Sequence, residues 1–197
     1  MPPARSHDEY TLYIRLAEIE PAIWRRIVAP GYLTLHQLHQ VLQVTMGWTH
    51  SHLHQFIVPG ENESTYYGEP SPEDEYFHKD DRLIRLAQIA PKKGATFLYE
   101  CDFGDSWKHE ITVEDIAPTP KDEPPYPWCL DGQRACPPED VGGVGGYQQF
   151  LEAWRDRSHP EHREMRQWVG KHFKPELFSV QQVNAALAFF ISISSKP

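Results

Sequence analysis

The tightest constraint in this chain is the run from Phe97 to Glu114, FLYECDFGDSWKHEITVE. From Trp107 it alternates with period two: Trp107, His109, Ile111 and Val113 fall on one face, and Lys108, Glu110, Thr112 and Glu114 on the other. One apolar and one polar face at this period predict a half-buried antiparallel strand. The preceding segment puts Phe97, Tyr99 and Cys101 together, opposite Leu98, Glu100 and Asp102. Between the two, Asp102-Phe103-Gly104-Asp105-Ser106 has the chemistry of a tight turn, because glycine permits positive φ and aspartate bonds nearby backbone. His109 stands out on the apolar face, since burying an imidazole costs free energy unless it has a partner.

A hairpin needs a sheet to extend it, and the rest of the chain supplies strands first and helices last. Tyr10 to Ile19 alternates with Leu12, Ile14 and Leu16 on one side, and Ile23 to Ala29 reads as its hairpin partner across Glu20-Pro21. Thr34 is placed to cap a helix from Leu35 to about Met46, with Leu35, Leu38, Val41, Leu42 and Met46 at helical spacing and Gly47 as its C-terminal cap. His50 to Val58 is expected to be a strand with His52, His54, Phe56 and Val58 on one side. Pro59 to Asp81 reads as a long excursion, with a short edge strand at Thr65 to Gly68, and Arg82 to Ile89 as a short helix.

Ala117 to Asp140 is rich in proline and lacks periodicity, so it is expected to be a long loop. Gly142-Gly143-Val144-Gly145-Gly146 leads into a helix carrying Tyr147, Phe150, Leu151 and Trp154. Ser158-His159-Pro160-Glu161 and Ser179-Val180-Gln181-Gln182 read as capping boxes opening two further helices. This order predicts an α+β fold: an antiparallel or mixed β-sheet built from hairpins, packed by one early helix and a C-terminal group of about three. The expected division is a polar lead-in over residues 1–9, one domain over 10–191 and a short tail over 192–197.

Charge and cysteine usage narrow the surroundings. The 28 acidic against 19 basic residues leave a net charge of −9, which gives no overall attraction to nucleic acid or to an anionic membrane. The basic concentrations are Arg25-Arg26, Lys92-Lys93 and the Arg155–Arg157 region, and none forms a stripe with interleaved aromatics. Three cysteines without a basic, then apolar, leader point to a reducing cytoplasm; a Cys129–Cys136 disulfide is the alternative.

Two sets of side chains carry candidate chemistry. His50, His52 and His54 at alternate positions of a strand suit a metal such as zinc or another divalent ion, with His109, or Cys129 and Cys136, to complete the set. Against this, no HExxH or CxxC occurs, and partly buried, hydrogen-bonded rings would look the same. Asp102, Asp105 and His109 are the candidates for acid–base catalysis, although a turn alone accounts for both aspartates. Cys101 is of interest as a nucleophile only if His109 adjoins it. The glycine run lacks the Lys-Ser/Thr of a P-loop and follows Glu139-Asp140, so close backbone packing is its expected role rather than phosphate binding.

Taken together, PAIWRRIVAP, MGWTHSHLHQF, FLYECDFGDSWKHEITVE, CLDGQRACPPEDVGGVGGYQQFLEAW, HPEH and VQQVNAAL resemble the plasmid pRiA4b ORF-3-like family, from about Tyr10 to Leu187. The resemblance implies a compact α+β domain of bacteria and archaea, often encoded on plasmids and mobile elements, with no settled activity. Some members of that family are labelled transposon resolvases, but no serine- or tyrosine-recombinase motif occurs here. His52, His54, Asp102, Gly104, Asp105, Trp107, His109, Cys129, Cys136, Glu139 and Asp140 match its pattern. Val141 stands where the family often has a third cysteine, and Cys101 where it usually has an aromatic.

The expected function is therefore a cytoplasmic binding or interaction domain associated with mobile elements, with a polar cleft between the hairpin and the Cys129–Gly146 segment. Its partner would be a protein or a small ligand, with no membrane. The alternatives are a metal-dependent hydrolase or nuclease using His52, His54 and His109 with Asp102 or Asp105, and a DNA-contacting accessory protein of transposition.

Overall fold

The computed structural model describes residues 8–70, 79–119, 126–170 and 172–194. Eight strands form one mixed sheet: β1 (Asp8–Leu16), β2 (Trp24–Pro30), β3 (His54–Val58), β4 (Thr65–Gly68), β5 (Lys79–Asp80), β6 (Thr96–Cys101), β7 (Trp107–Pro118) and β8 (Trp128–Gln133). Their order is β5-β4-β3-β6-β7-β1-β2-β8, antiparallel throughout except for the β4–β5 pair. The helices are α1 (Leu35–Met46), α2 (Leu86–Ile89), α3 (Gly143–Arg155), α4 (His162–Trp168) and α5 (Val180–Ser194). The α+β expectation holds.

The opening hairpin is β6–β7, in the register Tyr99↔His109 and Cys101↔Trp107. Its inner face joins two apolar clusters. One gathers Leu12, Ile14, Ile27, Phe56, Phe97, Tyr99, Ile111 and Val113 beneath Leu35, Leu38 and Leu42 of α1 and Leu187 of α5. The other packs Leu16, Ile23, Trp48 and Trp107 against Tyr147, Phe150 and Trp154 of α3. Each fully buried side chain of this kind contributes about 1.5–3 kcal/mol, so the helix-bearing face fixes the register. The other face is polar: Arg26 forms a fork on Glu114, and Arg15 bridges Glu20 and Glu110.

Helix α1 is capped as its sequence predicts. Thr34 and Gln37 form a reciprocal capping box, and Gly47 closes the end with φ 89°. Several other boundaries move. The strand expected from His50 starts at His54, because His50 turns through φ 61°. The segment Thr65–Gly68 is not the sheet edge, since β5 pairs beyond it. The proline-rich stretch contains β8, whose outward backbone at Cys129 is bound at both N–H and C=O by the Asn184 side chain of α5 (2.7 and 2.9 Å). Ser158 opens no helix: its backbone and hydroxyl bond Asp156, and α4 starts at His162 without a side-chain cap. Ser179 does cap α5, accepting the Gln182 amide.

Candidate metal centre

The N-terminal turn of α1 is tied to the segment between β5 and α2. His36 N–H donates to the Asp81 carbonyl, Leu35 N–H to Ile84, and Leu86 N–H to the Leu33 carbonyl. These bonds hold the Asp81 side chain against two imidazoles from different elements. His54, the first residue of β3, places Nε2 2.9 Å from Asp81 Oδ2. His36 on α1 places Nδ1 3.6 Å from the same oxygen. All three ligand-type atoms lie within 4.8 Å of one another.

The carboxylate is the informative member. Asp81 is wholly buried, and its second oxygen, Oδ1, has no hydrogen-bond partner among the described residues. A buried carboxylate oxygen left unpaired is expensive. Ligands held 2.0–2.1 Å from a tetrahedral zinc lie about 3.3–3.4 Å apart, so separations of 2.9 and 3.6 Å straddle the required edge. His54 is nearly covered, whereas the His36 side chain is 41% exposed, so the group opens toward solvent on the His36 side.

Behind these ligands stands a polar network. The His39 ring stacks on His54 at 3.6 Å between centroids with planes 5° apart. His39 Nδ1 lies 2.7 Å from the Tyr99 hydroxyl, which also accepts from Gln43 Nε2 at 2.9 Å. Gln43 is oriented by the His50 backbone N–H, which donates to its Oε1. Burial, together with the neighbouring rings of His54, His50 and His36, pushes the His39 pKa down to about 2. Burial likewise lowers His50 and raises Tyr99.

The sequence-predicted residues do not gather into one site. His52 lies in the loop before β3, with Nδ1 3.5 Å from Asp102 Oδ2 and Nε2 3.6 Å from Asp140 Oδ1. This makes a second group of ligand type, but the Asp140 side chain is 77% exposed. His109 is sealed in the core, with Nδ1 against the Tyr99 carbonyl at 3.3 Å and Nε2 without a partner among the described residues. Burial pushes its pKa down to about 4. Cys129 and Cys136 are free thiols, raised by burial, Cys129 to about 11. Cys136 faces Arg25 and Met46, so neither cysteine joins either histidine group, and the disulfide alternative fails. Cys101 pairs across the sheet with His54 and Trp107 rather than His109, and its thiol, raised by burial, receives the Gln43 amide.

The hairpin turn has structural work for both aspartates. Asp102 Oδ1 accepts the amides of Gly104 and Asp105. Asp105 Oδ2 accepts the Gly142 amide at 3.0 Å, so a carboxylate of the chain itself occupies the start of α3. A Cβ on Gly143 would sit 2.6 Å from the Asp105 carbonyl oxygen, which accounts for the glycine as a close-packing residue.

Sequence reasoning missed His36 and Asp81. The only local signal was a histidine pair at i, i+3 on α1, His36 and His39, while Asp81 looked like the end of a polar excursion.

Two similar proteins carry no activity in their names. The chain is 40% identical over 160 residues to "Uncharacterized protein y4hQ" of Sinorhizobium fredii (strain NBRC 101917 / NGR234), covering 81% of this chain and 79% of that protein. It is also similar to the crystal structure of the protein of unknown function MM3350 from Methanosarcina mazei Go1, with a TM-score of 0.79 at 33% identity, covering 88% of this chain and 96% of that one. Residues 8–182 match the family described as plasmid pRiA4b ORF-3-like protein, and the chain belongs to that family.

Proposed function

We propose that this protein is a divalent-metal-binding domain whose ion, zinc by ligand chemistry, is held by His36, His54 and Asp81. The observation that carries this reading is the buried Asp81 carboxylate, shared through one oxygen by two imidazoles and unpaired at the other. A cation at that point would take up the orphaned charge. Two imidazoles and a carboxylate fit zinc, and three protein ligands leave a fourth position open.

The alternatives draw less support. An interaction surface between the hairpin and the Cys129–Gly146 segment would have to use polar groups that already satisfy one another, Asp105 with Gly142 and Glu139 with Thr49. For DNA contact, Arg25 is buried, bonded to the carbonyls of Trp24 and Gln133, while Arg26 and Lys93 pair with Glu114 and Asp115. Association with mobile elements rests on the family's name alone.

The test is metal analysis of protein purified without a polyhistidine tag and then reconstituted with zinc. One zinc per chain is expected, and it is lost in Asp81→Asn. Absence of a stoichiometric ion after reconstitution would overturn the reading.

A further inference from the structure

We infer that the cleft formed by α3, α4 and residues 173–177 binds a small carboxylic acid with a flat apolar body, held at its carboxylate by Arg166. This cleft shares no residue with the His36, His54 and Asp81 group, and it includes Arg155, from the last of the three basic concentrations in the sequence. Its volume, about 560 Å³, lies within the range of small-ligand sites. Its floor is apolar. Trp154 of α3 is met edge-on by Phe173, with ring centroids 5.5 Å apart and planes at 87°, and Leu177, 58% exposed, lines the same cleft.

Charge around this floor is unbalanced. Glu176 is the one carboxylate lining it, and it is already shared by Arg134 at 2.9 Å and Arg155 at 2.8 Å. Arg166 and Lys174 line the cleft as well, and neither pairs with a carboxylate among the described residues. The Arg166 guanidinium lies 4.0 Å over the Trp154 ring. Contact with the ring holds the guanidinium in place, while no oxygen of the described residues accepts from its N–H groups. A guanidinium ordered in this way and left unpaired is a preorganised fork for a carboxylate.

These two features together select the ligand class. An inorganic anion would leave the Trp154 and Leu177 surface unused, and a neutral apolar molecule would leave both cations unpaired. A nucleic-acid backbone needs a row of free cations, whereas Arg155 is committed to Glu176, and Glu161 and Glu164 stand at the start of α4. An acid with an aromatic or similarly flat body uses both the floor and the charge, with its carboxylate on Arg166 and Lys174 adding to the field of the same cleft.

The test titrates ¹⁵N-labelled full-length protein, without added metal, with 3-phenylpropionate, and follows the amide shifts; 3-phenylpropionamide and propionate are the comparisons. 3-Phenylpropionate should shift the amides of α4 and residues 173–177 with a Kd of about 1 mM, the strength expected for so small a ligand, and each comparison should bind about 10-fold more weakly. Arg166→Met keeps an apolar chain over Trp154 but removes the charge and the fork, and should weaken binding about 10-fold. Lys174→Gln should weaken it about threefold, and Lys92→Gln, an exposed cation outside the cleft, should leave it unchanged. Arg166 and Lys174 are exposed, so neither replacement removes core packing. Absence of saturable shifts, equal binding of the amide, shifts centred outside the cleft, or an unchanged Kd in Arg166→Met would each overturn the inference. None of these outcomes bears on zinc at His36, His54 and Asp81.

Discussion

His52 and His54 are separated by a single residue, both face aspartates, and they end in opposite circumstances. His54 meets a carboxylate that is 1% exposed and has an unpaired oxygen. His52 meets Asp140, which water solvates, and Asp102, whose other oxygen already serves the hairpin turn. Both groups combine imidazole and carboxylate at similar spacing, two rings with one carboxylate at His54 and one ring with two carboxylates at His52. Desolvation differs more, and it decides where a cation gains most, because a hydrated carboxylate is already stabilised while a buried one is not.

The sharpest way to break this comparison is to neutralise each carboxylate in turn. Zinc binding of roughly 10–16 kcal/mol shared among three or four ligands gives about 3–4 kcal/mol each, so Asp81→Asn should weaken zinc by roughly a few hundred-fold in a competition titration. Equal losses from Asp81→Asn and Asp102→Asn would mean that burial does not distinguish the groups.

His109 supplies the case of a buried ring with no carboxylate at all. It faces the Tyr99 carbonyl, the Trp48 ring and the positive field of Arg25. Its folded pKa, about 4, lies below the ordinary 6.5, so the folded state binds the proton less well than the unfolded chain. The associated stability is complete above pH 6.5, declines as the pH falls and is gone below about 4. A shift of this size corresponds to about 3 kcal/mol. Urea titrations across this range should show that loss in the native protein, and His109→Phe should have a flatter profile. Parallel profiles would mean that the ring gains a partner on protonation.

How much of this was legible depended on the distance between cause and effect. The ends of α1 could be read because Thr34, Gln37 and Gly47 act within one turn, and the β6–β7 hairpin because its alternation and turn are contiguous. Strand β8 was hidden in a proline-rich segment, because its edge is satisfied by Asn184, a side chain 55 positions away. The capping box at Ser158 had the right letters, but the nearby Asp156 took the serine instead. The centre was half legible: His54 was identified, but its partners come from α1 and from the segment after β5, which only the tertiary fold brings together. Pattern reasoning grouped His52 with His54 by assuming a strand where His50 breaks it.

The hairpin side of the comparison makes a smaller claim, that its aspartates serve the backbone. Asp105 is the direct case, because its carboxylate accepts the amide of Gly142, the residue that caps the start of α3. Asp105→Ala removes both the hydrogen bond and the charge and should cost about 1 kcal/mol in chemical denaturation. Asp105→Asn keeps an acceptor oxygen and should cost roughly half that, the remainder being the charge at the helix start.

The smallest effect expected is the most discriminating. His52→Ala touches a ring that has no conventional hydrogen bond to either aspartate, since contacts of 3.5 and 3.6 Å lie beyond the usual range for N–H to carboxylate. Removing it should leave zinc affinity at His36, His54 and Asp81 within about twofold, because residues outside one shared network couple weakly. Asp102→Asn should behave the same way, since its amide oxygen can still accept from Gly104 and Asp105. A large loss of zinc in either variant would mean that the two groups act as one extended site, and the contrast between the neighbouring histidines would then reflect position rather than function.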